Sequence, residues 1–292
     1  MSIWRSVADR IAEATGRPFD PQPPSGMGGG CINHAFRLGD DTQTWFVKTN
    51  TAASIEMFEA EAQGLDALAA SRTLRVPHPL CTGIAEESAF IVLEYLEMRH
   101  ASAAGWRQAG ELLAAMHRHG TEQFGWARDN TIGATRQCNG WEADWVAFWR
   151  ERRLGFQLAQ AARNGYQGSL QALGGQLMER FPALIDHAPR PSLLHGDLWG
   201  GNIGFGERGD PLIYDPATYF GDREADLAMT ELFGGFPADF YAAYRAAWPL
   251  DPGYRVRKHL YNLYHVLNHL NLFGGGYRAQ AERTMQALLA EC

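Results

Sequence analysis

The pattern of hydrophobic and polar residues changes character about a third of the way along the chain. Before that point, strand-like spacing alternates with helical spacing. The predicted elements there are a helix at 1–16, strands at 32–38 and 44–49, a helix at 54–70, a proline-containing loop at 76–80 and an apolar strand at 90–96. The first part of the chain is therefore expected to be rich in β-structure.

Helical spacing dominates the rest of the chain. The predicted elements are helices at 103–119, 141–163 and 168–180, short strands at 192–197 and 212–215, and helices from about 222 to 291 with breaks at 249–253 and 274–276. This segregation indicates an α+β fold with two lobes. We place a small β-rich N-terminal lobe at 1–98 and a larger, mainly helical C-terminal lobe at 99–292.

The composition is that of a globular protein, and it argues against nucleic-acid and membrane partners. Of the 292 residues, 46% are hydrophobic and 20% are charged, and the formal net charge is −7. An acidic chain does not attract DNA or RNA through bulk electrostatics, so we expect no nucleic-acid partner. No apolar run approaches the roughly 20 residues that cross a bilayer, and no signal peptide is evident. We expect a cytoplasmic protein without a membrane partner, as a monomer or weak dimer.

The segment around residue 200 carries the strongest chemical signal. Asp197 lies in the sequence His-Gly-Asp-Leu-Trp-Gly-Gly-Asn, which ends at Asn202, and Asp215 ends a later apolar strand. This spacing matches the catalytic loop and the metal-binding aspartate of kinases. Phosphoryl transfer needs a carboxylate beside the attacking hydroxyl, which Asp197 supplies, and oxygen ligands for Mg²⁺, which Asn202 and Asp215 supply. We therefore predict ATP and Mg²⁺ as cofactors.

A glycine cluster and a lysine further upstream fit the same chemistry. Gly28, Gly29 and Gly30 open a strand, and glycines let backbone N–H groups approach a phosphate closely. Lys48 lies in the next strand inside an apolar segment, where its ammonium group needs a partner or a ligand. Alone, the glycines are typical of a simple turn, and the lysine of an edge strand with its head in solvent. Together they indicate nucleotide binding.

The helix that follows offers Lys48 an acidic partner. Glu61 comes three positions after Phe58 and four before Leu65, so it lies on the apolar face of that helix. Glu59 lies on the polar face. A carboxylate on an apolar face requires a cation, so we predict that Glu61, rather than Glu59, pairs with Lys48.

The strand at 90–96 immediately precedes the change in composition. In a two-lobed kinase this place is the hinge, which we put near 94–98. Backbone groups of Glu94 and Leu96 would contact the adenine ring there. A plain core strand is the alternative, and both interpretations can hold because hinge contacts use backbone atoms.

The motifs that carry these residues resemble a known family. Similarity to the fructosamine-3-kinase (ketosamine-3-kinase) family covers nearly the whole chain, through GGGCIN, FVKTN, MFEAEAQGL, VLEYL, NTIGATRQCN, LLHGDLWGGNIGF and YDPATYFGDREADLAM. The resemblance implies a protein-kinase-like fold, ATP as the donor, and phosphorylation of the C3 hydroxyl of ketoamines. These are small molecules or glycated proteins. Because the 3-phosphate makes the adduct unstable, the resemblance also implies deglycation and protein repair.

The same resemblance implies roles for individual residues. Asp197 would be the catalytic base, Asn202 and Asp215 would hold Mg²⁺, and Lys48 would contact the nucleotide phosphates. Trp199 would face the sugar, because an aromatic face packs well on sugar C–H groups. The alternative for Trp199 is a core position that closes the loop.

Other activities remain open alternatives. A different small-molecule kinase of the aminoglycoside and choline kinase superfamily would share the nucleotide site and differ in acceptor. A non-catalytic nucleotide-binding regulator is disfavoured because the set of chemical residues is intact. A protein-serine kinase is disfavoured because Pro216 and Ala217 follow Asp215 and no activation-loop signature follows.

Cys31 suggests a secondary function. The four cysteines, at 31, 81, 138 and 292, are scattered, which argues against a disulfide framework and a zinc site. Cys31 directly follows the glycine cluster, where an oxidised thiol could block ATP and give redox control. The alternative is a small strand residue without such a role.

Several polar residues near these motifs have structural interpretations. His195 is expected to prop the catalytic loop through hydrogen bonds, and Asp226 to cap a helix or to brace that loop. His265 and His269 have metal-ligand spacing, but no third ligand stands out, so we predict a solvent-facing or hydrogen-bonded pair.

Aromatic and amide residues before residue 150 are further candidates for core positions and substrate contacts. The helical spacing of four aromatic residues predicts core positions; they are Trp141, Trp145, Phe148 and Trp149. A polar stretch before them could contact substrate through Asn130, Gln137 and Asn139.

Overall fold

An antiparallel five-stranded sheet dominates the N-terminal part of the computed structural model, which describes residues 3–28 and 32–291. Its strands are β1 (Ser25–Met27), β2 (His34–Gly39), β3 (Thr44–Thr51), β4 (Pro79–Ala85) and β5 (Ser88–Glu94), in the order β1-β2-β3-β5-β4. Two helices accompany the sheet, α1 (Ile3–Thr15) and α2 (Ile55–Ala70). The β-rich character predicted for this part is confirmed.

The two helices cover opposite faces of the sheet, and β5 shows why. Successive side chains of a strand point to opposite faces. Phe90 and Val92 pack with Val7 of α1, whereas Ile91 packs with Phe58 of α2. A strand that is buried on both faces needs an apolar residue at every position, which explains the continuous apolar run in its sequence.

Helices form most of the C-terminal part. They are α3 (Ala103–His117), α4 (Trp145–Trp149), α5 (Phe156–Arg163), α6 (Ser169–Leu184), α7 (Glu224–Leu232), α8 (Ala238–Ala247), α9 (Tyr254–Phe273) and α10 (Tyr277–Leu289), with a π-helical turn at Arg150–Gly155. The long helix α9 packs against α5, α7 and α10, and every residue from 260 to 268 along its middle is buried. Within the described residues, no helix is both long and apolar enough to cross a membrane.

Short antiparallel strand pairs place the chemical motifs between the helices. They are β6 (Asn130–Ile132) with β7 (Thr135–Gln137), β8 (Ser192–Leu194) with β11 (Tyr219–Gly221), and β9 (Ile203–Phe205) with β10 (Pro211–Ile213). The loop at 195–202 connects β8 to β9, and we call it the catalytic loop after its predicted role. Asp215 follows two positions after the end of β10. The pairing of these strands fixes the segments that carry the chemistry.

Several predicted boundaries were wrong for local reasons. Residues 76–80 were expected to be a loop, but Pro79 begins β4, since proline is tolerated at the first position of a strand. The helix predicted at 141–163 begins at Trp145 and contains the π-helical turn, and Trp141 before it is 42% exposed rather than buried. The helix predicted at 168–180 continues to Leu184.

Candidate active site

The catalytic loop connects β8 to β9 and is tied together by its own polar groups. Asn202 donates from Nδ2 to the carbonyl oxygen of Asp197 at 2.9 Å and lies 3.3 Å from its carboxylate. The backbone N–H of Asn202 donates to Trp199 O at 2.9 Å, which closes the turn. The two residues predicted from spacing are therefore in direct contact.

His195 supports the loop from below. Its Nε2 lies 2.9 Å from Tyr214 O, a pure acceptor, so Nε2 carries the proton. Nδ1 is then an acceptor, and the backbone N–H of Asp197 donates to it at 3.2 Å. Burial lowers the pKa of His195 and favours this neutral form. The expectation that His195 props the loop through hydrogen bonds is confirmed.

Asp226 braces the same loop from the N-terminal turn of α7. One carboxylate oxygen accepts the N–H of His195 at 2.7 Å, and the other accepts the N–H of Gly196 at 2.8 Å. Gly196 has φ +84°, and a Cβ there would lie 2.1 Å from Ala217 O, so only glycine fits. Although burial opposes ionisation, the hydrogen bond and charge of His117 hold the pKa of Asp226 below its usual range. Of the two roles considered for Asp226, the structure shows the brace.

Lys48 and Glu61 form a buried ion pair between β3 and α2, and the more exposed Asp215, just after β10, joins it. The Nζ of Lys48 lies 2.6 Å from Glu61 Oε1 and also contacts Asp215 Oδ1. Burial opposes the charge on Lys48, but the two carboxylates outweigh it and raise its pKa well above the usual value. The predicted choice of Glu61 over Glu59 as the partner of Lys48 is confirmed, because Glu59 lies on the surface near Arg128.

Asp215 occupies a backbone conformation that non-glycine residues rarely adopt. Its φ is +57°, in the left-handed region, and the side chain is turned towards Lys48. Such conformations cost about 1–3 kcal/mol and cluster at functional sites, where the surrounding structure holds them. The strained backbone at Asp215 sets the direction of this carboxylate, which follows β10.

Asp197 lies in an environment that opposes its negative charge. Burial, together with the nearby carboxylates of Asp215 and Asp226, raises the pKa of Asp197 to about 7, and the hydrogen bond from Asn202 only partly offsets this. A carboxylate with a pKa near neutrality is a suitable proton acceptor at physiological pH.

One cavity of about 510 Å³ brings these groups together. Its wall contains the predicted residues Lys48, Glu61, Asp197, Trp199, Asn202 and Asp215. Trp199 is 39% exposed, so the alternative of a core position is wrong. A larger surface cavity of about 900 Å³ lies beside Arg118 and Trp248 and contains none of these groups, so chemistry rather than size marks the site.

The described part of the cavity wall does not include the other predicted nucleotide contacts. Gly28 is exposed just after β1, and Gly29, Gly30 and Cys31 lie outside the described residues. Glu94 and Leu96 do not line the cavity, and the backbone N–H of Glu94 donates to His78 O at 2.8 Å. The roles of these five residues and of Cys31 as a redox group stay predictions.

The oxygen atoms around Asp197 fit a hard cation. Asn202 uses its amide nitrogen on Asp197, which leaves Oδ1 as an acceptor. Asp215 uses Oδ1 for Lys48, and its side chain is 43% exposed. Amide and carboxylate oxygens are the ligands that Mg²⁺ prefers.

Sequence reasoning missed the far wall of the cavity. Helices α9 and α10 contribute His265, His269, Phe273 and Tyr277, and the end of α7 contributes Phe233. The sequence predicted that His265 and His269 form a solvent-facing or hydrogen-bonded pair, and His269 Nδ1 does donate to His265 O at 2.8 Å. His265 is buried rather than solvent-facing, and its Nδ1 has no hydrogen-bond partner among the described residues. An unusual number of rings and imidazoles along one helix was the available signal.

The amide residues of the polar stretch lie behind the cavity. Asn130 lines it, but Gln137 and Asn139 are buried and donate to Asn130 Oδ1 at 2.9 and 2.8 Å. Asn130 in turn donates to Thr218 O. The expectation that Gln137 and Asn139 contact substrate was wrong, because they are used to support the backbone behind the site.

Comparison with known proteins identifies the family of the chain. The sequence profile of the fructosamine kinase family matches residues 3–291. The chain belongs to the fructosamine kinase family. A probable ketoamine kinase of Synechocystis sp. is 49% identical over 287 residues, which cover 98% of this chain and 97% of that protein. The family suggested by the sequence motifs is confirmed.

Solved structures agree with this assignment. The crystal structure of a candidate fructosamine-3-kinase from Haemophilus somnus 129PT is 29% identical and superposes with a TM-score of 0.91, covering 98% of this chain and 97% of that one. An aminoglycoside phosphotransferase, crystallised as a thermostable mutant with AMP-PNP and hygromycin B, has a TM-score of 0.66 at 16% identity, with 98% of each chain covered. The two-lobed protein-kinase-like α+β fold is thereby confirmed.

Proposed function

We propose that the protein is an ATP- and Mg²⁺-dependent kinase that phosphorylates the C3 hydroxyl of ketosamines. One observation carries the proposal: Asp197, Asn202 and Asp215 meet the Lys48–Glu61 pair in a single cavity. The family and its ketoamine kinase relatives support the acceptor class. Phosphorylation at the 3-position is inferred from the name of the Haemophilus somnus relative, a fructosamine-3-kinase. The ATP analogue bound by the aminoglycoside phosphotransferase supports ATP as the phosphate donor.

Asp197 orients the acceptor hydroxyl and accepts its proton. Its carboxylate lies in the cavity wall, and Asn202 and His195 fix the backbone on either side of it. The transition state of phosphoryl transfer is loose, so catalysis depends mainly on position and charge rather than on a strong base. A carboxylate with a pKa near 7 suits that role.

Lys48 offsets charge on the β- and γ-phosphates of the nucleotide. Glu61 holds the ammonium group towards the cavity, and the high pKa of Lys48 keeps it charged. Asn202 and Asp215 would hold Mg²⁺, which neutralises phosphate charge when bound. Backbone groups of the glycine segment at 28–30 would approach the phosphates, and Glu94 and Leu96 would contact adenine at the hinge between lobes 1–98 and 99–292.

Trp199 provides a face for the sugar next to the catalytic carboxylate. It lies two positions after Asp197 and is exposed in the cavity wall. We propose that the product, a ketosamine 3-phosphate, is less stable than its precursor. The protein would then act in deglycation of small molecules or proteins, a repair activity.

The test is ATP consumption with Mg²⁺ against four acceptors: a ribuloselysine, a fructoselysine, choline and an aminoglycoside. We expect turnover on one or both ketoamines. Asp197→Asn should reduce it at least 100-fold while ATP still binds, and the surface variant Asp239→Asn should behave as wild type. Turnover on choline or the aminoglycoside alone would overturn the acceptor class, and near-normal turnover in Asp197→Asn would overturn the base.

A further inference from the structure

The far end of the cavity is a continuous surface of rings. Trp199 contacts Phe233 with a centroid separation of 6.1 Å, and Phe233 contacts His269 at 4.9 Å. His269 in turn contacts Phe273 at 5.5 Å and Tyr277 at 5.2 Å. We call Phe233, His269, Phe273 and Tyr277 the aromatic wall. It begins beside Trp199 and therefore beside the catalytic loop.

The aromatic wall is exposed in a way that a folding core does not explain. Among the described residues, seven large hydrophobic side chains are exposed, and three of them line this cavity: Trp199 (39%), Phe233 (38%) and Phe273 (53%). Exposed apolar groups that gather at one place mark a binding surface. Because this surface continues the site of phosphoryl transfer, its ligand is part of the same acceptor.

The aromatic wall itself contains no carboxylate and no lysine. The described acidic groups of the cavity are Glu61, Asp197 and Asp215, and its lysine is Lys48. At the aromatic end, burial and the neighbouring imidazole of His269 lower the pKa of His265 to about 3, and burial lowers the pKa of His269. Both imidazoles are therefore neutral near pH 7, and this end offers ring faces without a fixed charge.

A ketoamine acceptor has two chemically different parts. One is the sugar, whose C3 hydroxyl must lie at Asp197, and the other is the amine with its carbon chain, which extends from C1. A secondary amine is protonated near neutral pH and so carries a positive charge. Ring faces attract such cations when no water separates them, and they also pack against the carbon chain.

We propose that the aromatic wall binds the amine-bearing arm of the acceptor and thereby selects ketoamines over uncharged sugars. The inference rests on the proposed function, since it assigns the second half of that acceptor. The arm is recognised by ring faces rather than by a carboxylate. Phe233 and Phe273 are binding residues in this scheme and take no part in the chemical step.

Phe273 provides the sharpest test, because it is half exposed at the end of α9 and its replacement leaves the core intact. For Phe273→Ala we expect the KM for fructoselysine to rise roughly 5- to 30-fold, about 1–2 kcal/mol, with the KM for ATP and kcat nearly unchanged. Trp141→Ala is the matched control, an exposed aromatic residue outside the cavity wall, and should not change either KM.

Charged replacements separate attraction for a cation from simple apolar packing. Phe273→Glu should bind fructoselysine more tightly than Phe273→Ala does, and Phe273→Lys should bind it more weakly. Equal loss in the Glu and Lys variants, an unchanged acceptor KM in Phe273→Ala, or a change in the KM for ATP instead would overturn the inference. Wild-type protein that turns over no ketoamine would overturn the proposed function itself, and this inference with it.

Discussion

At the scale of single residues, the site places a charge where the fold disfavours it. Asp197 is surrounded by Asp215 and Asp226, while Lys48 is committed to Glu61 and Asp215. The carboxylate that we propose as the proton acceptor is therefore held at a cost in stability. Functional sites often retain such unfavourable arrangements because the reaction requires them.

In the metal-free protein, the stability cost of the Asp197 charge should depend on pH. The pKa of Asp197 is about 7 in the folded protein and about 3.9 in an unfolded chain, so the folded state binds the proton more tightly. Stability from this group is full below about pH 4 and is lost as pH rises through about 7. Asp197→Asn lacks this loss, so its gain in Tm over wild type should grow between about pH 5 and about pH 8.

Thermal unfolding in the presence of a chelator measures this difference. Asp239→Asn, which removes an exposed carboxylate, should show no gain that increases with pH. A gain for Asp197→Asn that is constant over the whole pH range would contradict the argument, because a pH-independent effect does not come from titration.

At the scale of elements, the catalytic loop is held by a helix that is distant in sequence. Helix α7 supplies Asp226, whose two oxygens accept separate backbone N–H groups of the loop. Helix α2 likewise supplies Glu61 to a strand of the sheet. Each of these helices thus positions one carboxylate at the site, and a single substitution can remove each carboxylate separately.

Asp226→Asn should weaken the support without changing the size of the side chain. An amide has only one acceptor oxygen, and its NH₂ group would face a backbone N–H of the loop. We expect kcat to fall roughly 10- to 100-fold through displacement of Asp197, with a smaller change in the KM for ATP. Steady-state kinetics measure both values.

The surface variant Asp239→Asn again serves as the control. Faster hydrogen exchange at the Gly196 amide in Asp226→Asn would identify a loosened loop, since that amide donates to Asp226 in the wild type. A normal kcat in a folded Asp226→Asn protein would show that the brace has no part in positioning.

At the scale of the whole molecule, the lobes are joined by packing as well as by the chain. A single core cluster contains Phe58 and Ile91 from the N-terminal part and Leu113, Ile213 and Leu227 from the C-terminal part. The backbone N–H of Ile213 also donates to Arg75 O at 2.9 Å. The cavity between the parts is therefore built on a shared core.

A buried arginine that does not line the cavity stabilises the C-terminal part. Arg257 of α9 is fully buried and donates to both oxygens of Glu224 at 2.7 and 2.8 Å, and it also contacts Asp186. Arg257→Ala would leave the buried Glu224 carboxylate without its partner. We expect the free energy of unfolding to fall by about 3–5 kcal/mol, measured by urea denaturation.

Arg278→Ala is the control for this prediction. Its ion pair with Glu282 at 3.0 Å lies nearer the surface, and such pairs contribute about 0–1 kcal/mol. Equal losses of stability in the two variants would show that burial of Arg257 is unimportant. The KM for ATP should be unchanged in both, because neither residue lines the cavity.

The sequence by itself determined the catalytic loop, the ionic partner of Lys48 and the order of most elements. Asp197, Asn202 and Asp215 follow a spacing that phosphoryl transfer requires, and Glu61 had to be buried because of its place among apolar residues. These inferences rest on local chemistry and periodicity, which neighbouring residues specify. The pairing of Glu61 with Lys48 is confirmed, whereas the catalytic and metal-binding roles of Asp197, Asn202 and Asp215 stay predictions.

Only the tertiary structure decided which distant groups share the cavity. β4 exists because β5 offers it a partner, although its own sequence begins with proline. The aromatic wall combines the end of α7 with α9 and α10, so no local pattern shows that Phe233 and Phe273 lie close to the same imidazole. Periodicity specifies which face of an element is apolar, but the partner of that face depends on how the whole chain packs.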